Sequence, residues 1–256
     1  MGSFDGMADI YHESRHGYPP ELRDHLVRIG ALADDSVVVD LGAGTGQLAT
    51  MAADVAAEVI AIDPEPDMVR VGRRATAELP TVRWVLGADR DLLELLTRPV
   101  DLVLIGNAFH HMNRVRLLAD LDSLVAPSGA VVVCSASIPV WLHDTAWSTA
   151  LRQQLSRELG RPIGEAGTPN HESDMAVLSR SPFSDVERWV WSQDHHRRAE
   201  NVLGEILSSA SGAIDEAAAE RLLSILEPYL VNGTVPENVQ TTALIARRPA
   251  TSDRDP

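Results

Sequence analysis

The stretch Ser36-Val37-Val38-Val39-Asp40-Leu41 constrains this chain more than any other. It is short and β-branched and does not alternate apolar with polar residues. Such a run suits a strand covered on both faces, as in a parallel sheet. It leads directly into Gly42-Ala43-Gly44-Thr45-Gly46, and a helical pattern follows over residues 47–55. The unit then recurs. Residues 59–62 read as a strand ending at Asp63-Pro64, and residues 82–86 as one ending at Gly87-Ala88-Asp89. Residues 102–105 read as a strand ending at Gly106-Asn107-Ala108-Phe109-His110-His111. A fifth strand, 130–134, is entered through the turn Pro127-Ser128-Gly129. Helical patterns at 67–77, 91–96 and 114–124 separate these strands. Strands alternating with helices at this spacing predict an α/β fold with a doubly wound parallel sheet.

The rhythm breaks after Ser137. Residues 138–180 hold helix-like pieces around 147–159 and a loop at 164–170, and they read as a helical cap insertion above the sheet edge. A strand pattern returns at 186–191, with Trp189 and Trp191 sharing one face as core residues. His195-His196-Arg197-Arg198 then reads as a solvated turn. Helices are expected at 199–208 and 213–226, and a last strand at 240–246.

The glycine loop between strand and helix carries the first chemistry. Glycines accept positive φ and let a ligand approach the backbone, and a helix N-terminus offers unpaired N–H groups to an anion. Asp63, about twenty residues on, stands where a carboxylate can take both ribose hydroxyls. Together these point to a nucleoside cofactor. A dinucleotide fingerprint wants G-x-G-x-x-G. Counted from Gly42, its third glycine falls on Gln47, and counted from Gly44 it falls on Ala49. Asp40 at the loop entry repels a pyrophosphate and favours a cofactor with a cationic amine. A nicotinamide-dependent oxidoreductase stays as the alternative, as does a module that binds its cofactor without turnover.

The segments VVVDLGAGTGQL, VIAIDPEPDM, GAD and DLVLIGNAFHHM, taken jointly, resemble a class I S-adenosylmethionine-dependent methyltransferase. The opening Tyr11, Arg15, Gly17, Tyr18 and Pro19 is similar to the small-molecule branch that includes trans-aconitate-methyltransferase-like proteins. That branch often carries N-A-F-H-W, and here His111 replaces the aromatic. The resemblance implies a Rossmann-like sheet of seven strands, mostly parallel, the last one antiparallel. It implies S-adenosyl-L-methionine as cofactor and S-adenosyl-L-homocysteine as product. Asp40 and the Gly42-Ala43-Gly44 backbone would meet the methionine part. Arg15 would pair with its carboxylate, with Tyr11 closing over it and Tyr18 nearby. Asp63 with Pro64 would take the ribose. Met68 and Ala88 would flank the adenine, Asp89 would accept from its amino group, and Arg90 would follow. Asn107 would offer its carbonyl to the cofactor amine.

Other residues are candidates on their own chemistry. Histidine suits a base that frees a hydroxyl or an ammonium of its proton, with an ordinary pKa of about 6.5. His110 is preferred for that role over His111, and pocket shaping is the alternative for both. Phe109, Trp141 and Trp147 are candidates for a substrate wall, with a buried cap core as the alternative for the tryptophans. His12 and His16 have the spacing of a metal pair, but Tyr18-Pro19 breaks the helix and no further ligands are nearby, so no metal is expected. Cys134 reads as buried and inert.

Composition bounds the classes of partner. There are 37 acidic and 22 basic residues, giving a net charge of −15. Such a surface repels phosphate backbones and anionic lipid, so neither nucleic acid nor membrane is expected as a partner. No lysine is present, which excludes a Schiff base, a Walker-type loop and a Tyr-x-x-x-Lys pair. One cysteine excludes an internal disulfide. No run reaches the roughly 20 apolar residues of a membrane span, and the N-terminus lacks signal-peptide features. The expectation is a cytoplasmic monomer or homodimer acting on an oxygen or nitrogen of a small metabolite, in secondary metabolism such as antibiotic biosynthesis. The expected division is 1–30 N-terminal lid and first helix, 31–137 cofactor-binding core, 138–180 substrate cap insertion, 181–250 remainder of the core sheet and C-terminal helices, and 251–256 tail, with disorder expected over 247–256.

Overall fold

The computed structural model describes residues 7–136, 138–164, 170–210 and 213–250. Residues 1–6 of the expected N-terminal lid, Ser137, most of the 164–170 loop and the tail 251–256 lie outside the described residues. Seven strands form one mixed sheet: β1 (Val37–Leu41), β2 (Glu58–Asp63), β3 (Val82–Leu86), β4 (Val100–Gly106), β5 (Val125–Ala136), β6 (Asp185–Arg198) and β7 (Thr234–Arg247). Their order is β3-β2-β1-β4-β5-β7-β6, with the last strand antiparallel. The β1–β2, β2–β3, β1–β4 and β4–β5 pairs are parallel. The direction of winding reverses between β1 and β4, the place where a doubly wound sheet opens a crevice at its carboxyl ends.

Two compact units divide the chain. The second comprises Tyr18–Ser135, Pro169–Trp191 and Thr242–Pro256. Strand β1 is buried throughout, Asp40 included, as its β-branched run without alternation predicts. Val38 joins Leu102, Leu104 and Val132 in the apolar layer on one face, while Val39 joins Val103, Ile105 and Val133 on the other. Of its helices α2 (Pro20–Arg28), α3 (Gln47–Ala53), α4 (Pro66–Ala75), α5 (Leu92–Leu95) and α6 (Arg114–Leu124), three matter for the site: α3, α4 and α6. Trp84 of β3 is buried and donates its indole N–H to Thr76 Oγ1 at 2.9 Å. Gly72 of α4 lies so close to this ring that any Cβ there would overlap it.

The first unit comprises Met1–Gly17, Ala136–Thr168 and Ser192–Thr241. It holds α1 (Ala8–Ser14), α7 (Ala146–Glu158), α9 (Ala199–Ala210) and α10 (Glu216–Leu226) around an apolar layer that includes Val140, Leu151, Val202, Ile206 and Leu222.

Three local expectations are corrected, and one helix is added. Pro127-Ser128-Gly129 lies inside β5: Val125 pairs with Val100 and Ala130 with Leu102, so residues 126–129 bulge opposite Asp101. The stretch 195–198 is strand, and Arg197 is buried; its charge is met by carboxylates rather than by water. Trp189 is 39% exposed, because β6 lies at the sheet edge, whereas Trp191 packs on the core. Residues 171–178 form a helix, α8 (His171–Leu178), begun by Asn170, whose side chain accepts from Ser173 N at 2.9 Å.

Candidate functional site

The loop after β1 needs glycine for two reasons. Gly42, Gly44 and Gly46 have φ of +68°, +57° and +89°, the left-handed region that side chains disfavour. At Gly42 a Cβ would also come within 2.6 Å of the Ala108 Cβ, and at Gly46 within 2.8 Å of the Trp84 ring. Gly42 N and Ala43 N donate to Ile62 O at 2.8 and 3.0 Å, which fastens the turn to the end of β2.

Two buried carboxylates stand beside this turn. Asp40 is 1% exposed, and its Oδ2 accepts from Ala49 N in α3 at 2.8 Å. Burial pushes its carboxyl up to about 7; the Ala49 bond works against that shift and the Asp63 charge adds to it. Asp63 accepts from Gly44 N at 2.7 Å and from Glu65 N at 2.9 Å, so it braces the loop that it faces. Burial also raises Asp63, to about 6, although both backbone bonds favour the ionised form. Pro64 beside it is exposed and Met68, in α4, is buried.

The ends of β3 and β4 complete the row. Asp89–Asp91 form one 3₁₀ turn, in which Asp91 Oδ2 accepts from Ala88 N at 2.9 Å. Ala88 is buried, Asp89 half-buried and Arg90 exposed. Asn107 has a φ of +51°, unusual for a residue with a side chain, and its N–H donates to Cys134 O at 2.9 Å. The Tyr18 hydroxyl lies directly over Gly106, where a side chain would displace it.

His110 is half-buried and His111 exposed, with ring centroids 4.0 Å apart. Burial lowers the His110 pKa, the neighbouring His111 and Arg114 lower it further, and Asp174 opposes them. Asp174 comes from α8. It is buried and pairs with Arg114 Nη1 at 2.8 Å. His171, the first residue of the same helix, has its Nε2 3.1 Å from Ser135 Oγ at the end of β5. Burial lowers its pKa too, with Arg188 adding and Asp174 opposing. Sequence reading missed Arg114, Ser135, His171 and Asp174. The one local signal was Asn170 as a helix cap three residues before Ser173.

Phe109 is buried in the core of this unit, where it packs rather than lines an open wall. Cys134 is buried, and burial raises its thiol well above the ordinary range.

Six candidates belong to the first unit. Arg15 stacks its guanidinium 5.0 Å from the Tyr11 ring centroid and donates from Nη2 to Ser209 Oγ at 2.9 Å. Trp141 is half-buried. Trp147 is fully packed, and its indole N–H donates to Pro236 O at 2.8 Å, so the core alternative holds for it. His12 lies in α1, but His16 lies beyond its end and turns to Glu237.

A positive-φ glycine turn after β1 and an acid at the end of β2, on a doubly wound sheet, define a nucleoside-cofactor-binding α/β protein. Residues 38–129 match a family model described as a methyltransferase domain. An uncharacterised methyltransferase of Mycobacterium tuberculosis is 32% identical over 187 residues, covering 73% of this chain and 68% of that protein. An uncharacterised methyltransferase of Schizosaccharomyces pombe is 26% identical over 157 residues, covering 60% and 59%. The fold superposes on a protein of Anaeromyxobacter dehalogenans described as a type II methyltransferase, with a TM-score of 0.64 at 19% identity over 91% of this chain and 97% of that one. The chain belongs to the class I S-adenosylmethionine-dependent methyltransferase family.

Proposed function

We propose that this protein transfers a methyl group from S-adenosyl-L-methionine to an oxygen or nitrogen of a small metabolite. One observation carries the reading: two buried carboxylates, Asp40 and Asp63, flank a turn of three left-handed glycines. Such a donor set fits a cofactor with a cationic amine and free ribose hydroxyls. A pyrophosphate would face Asp40 at the entry of the turn, which argues against a nicotinamide dinucleotide, whereas Asp63 suits the ribose of either cofactor. When bound, the cofactor supplies an electrophilic methyl on a sulfonium centre.

The chain's own residues then have assignable tasks. Asp40 holds the amine end, with the bare backbone of Gly42, Ala43 and Gly44 beneath it. Asp63 takes the ribose; each of its oxygens already accepts one N–H, and each has a second lone pair to offer. Met68, Ala88 and Asp89 serve the adenine. Tyr18 serves the methionine carboxylate. His110, its pKa lowered by burial, is neutral at pH 7 and can accept the proton that the acceptor loses. In-line methyl transfer otherwise depends on orientation, which rigid strand ends supply.

Calorimetric titration with S-adenosyl-L-homocysteine, with a nicotinamide cofactor as control, tests the reading. Asp63 braces Gly44, so removing it disturbs loop and ligand together. Asp89→Ala is the cleaner variant. One-site binding that weakens in Asp89→Ala, with none for the nicotinamide, is the expected result. Absence of S-adenosyl-L-homocysteine binding overturns it.

A further inference from the structure

Strand β5 of the second unit is apolar from Ala130 to Cys134 and then presents a hydroxyl, Ser135. Val131 and Val133 lie in one apolar layer with Phe109, the residue before His110, and with Leu178 at the end of α8. Side chains alternate along a strand, so Ser135 continues that face toward the carboxyl end of the sheet. The neighbouring strand ends level with it. Gly106 of β4 pairs with Cys134, and Asn107 N–H donates to Cys134 O at 2.9 Å. Ser135 therefore stands beside the residue assigned to the cofactor amine, within the same unit.

A buried hydroxyl needs a hydrogen-bond partner, and Ser135 Oγ meets an imidazole, with His171 Nε2 3.1 Å away. A neutral imidazole has one donor and one acceptor nitrogen. When the hydroxyl donates, Nε2 is the acceptor and the ring proton sits on Nδ1. Burial and Arg188 favour the neutral ring, while the buried Asp174, one turn further along α8, favours the imidazolium once it forms. We propose that Ser135 and His171 form a proton relay, in which Ser135 takes the proton that the methyl acceptor loses and passes its own to His171 Nε2. Ser135 is then a catalytic residue, and His171 acts through it. The inference rests on the methyl-transfer reading. The step balances. As the acceptor's lone pair takes the methyl carbon, the pair from the broken carbon–sulfur bond stays on sulfur. The acceptor's proton moves to Ser135 Oγ and the hydroxyl proton moves to Nε2. The serine is restored, and the imidazolium keeps the proton until water takes it. The site gains a proton outlet beside His110, and both imidazoles feel the one buried carboxylate.

The test needs neither cofactor nor acceptor. Imidazole nitrogen NMR of the full chain at about pH 8, where the ring is neutral, should show His171 with its proton on Nδ1 and a bare Nε2. Ser135→Ala should free that proton to move to Nε2. A proton on Nε2 in the wild type overturns the relay, because that nitrogen then has no lone pair for another. p-Nitrophenyl acetate probes the hydroxyl itself, since a serine within reach of an acceptor and assisted by a base is open to acetylation. Acetylation of Ser135, read by peptide mass spectrometry, should be slower by about 10²-fold in His171→Gln. No acetylation of Ser135 in the wild type overturns the relay, because the hydroxyl is then out of reach. An equal rate in His171→Gln also overturns it, because the imidazole then merely tethers α8. If the wild type binds no S-adenosyl-L-homocysteine, the methyl-transfer reading fails, while the tautomer and the acetylation still judge the pair. Should Ser135→Ala not fold, the wild-type spectrum and His171→Gln carry the test.

Discussion

At the scale of the residue, the site is governed by two acids whose burial raises their pKa. Asp40 and Asp63 titrate near 7 and 6 because burial penalises their charge. Their raised values have a sign that can be checked. Between about pH 4 and those values the folded protein holds protons that the unfolded chain has released. Stability therefore falls as pH rises through that window. A cationic amine beside Asp40 favours its ionised form. S-adenosyl-L-homocysteine should bind more tightly from about pH 5.5 to about 7.5, with proton release on binding. Calorimetry in two buffers of different ionisation enthalpy measures this directly; a pH-independent affinity would place the amine away from Asp40. His110 makes a separate prediction. His110→Ala should lower kcat by about 10²–10⁴ once an acceptor is in hand, with cofactor affinity unchanged. Turnover at the wild-type rate would remove it as the base.

At the scale of the element, α8 is what sets the histidines' surroundings. Its buried Asp174 pairs with Arg114 and acts on both His110 and His171 in the direction of a higher pKa. Asp174→Asn should therefore move both imidazole titrations downward, as followed by ring-proton NMR; unmoved titrations would break the link. The α4–β3 contact makes a stability prediction. Gly72→Ala must push against the Trp84 ring, which is buried and tied to Thr76, and should cost about 1–3 kcal/mol in urea unfolding. The edge strand β6 shows a different balance. Trp189 is left partly in solvent, while Arg197 on the same strand is buried, because burial here follows the partner each side chain meets. Removing the buried cation shared by Glu205 and Glu237, as in Arg197→Met, should cost about 3–5 kcal/mol in urea unfolding.

At the scale of the molecule, the sheet order brings the carboxyl ends of β1, β2 and β4 side by side, and with them the glycine turn, Asp63 and Asn107. Ligand binding to a site assembled from so many segments should stabilise the whole of the second unit. At a hundredfold excess over Kd the gain is about 2.7 kcal/mol, enough to raise the unfolding midpoint by several degrees. Scanning calorimetry with and without S-adenosyl-L-homocysteine checks this, and no shift would count against binding at this site.

Much of the site was legible locally. Residues 82–86 and 114–124 lie where periodicity put them, and the glycine turn and Asp63 follow strands whose apolar runs announce burial on both faces. Those signals are written over a few residues, in φ preference and spacing, and so the sequence by itself determined the doubly wound core. The rest depended on distant partners. His16 meets Glu237 across 221 residues and Ser14 meets Arg197 across 183, so no window of sequence marks them. The stretch 195–198 looked like a solvated turn because its charges had no visible partners, and tertiary structure supplied them. His171 and Asp174 became neighbours of the β4 and β5 ends only when α8 packed there. Local propensity chooses elements, whereas the free energy of a buried charge is settled only by what the fold brings against it.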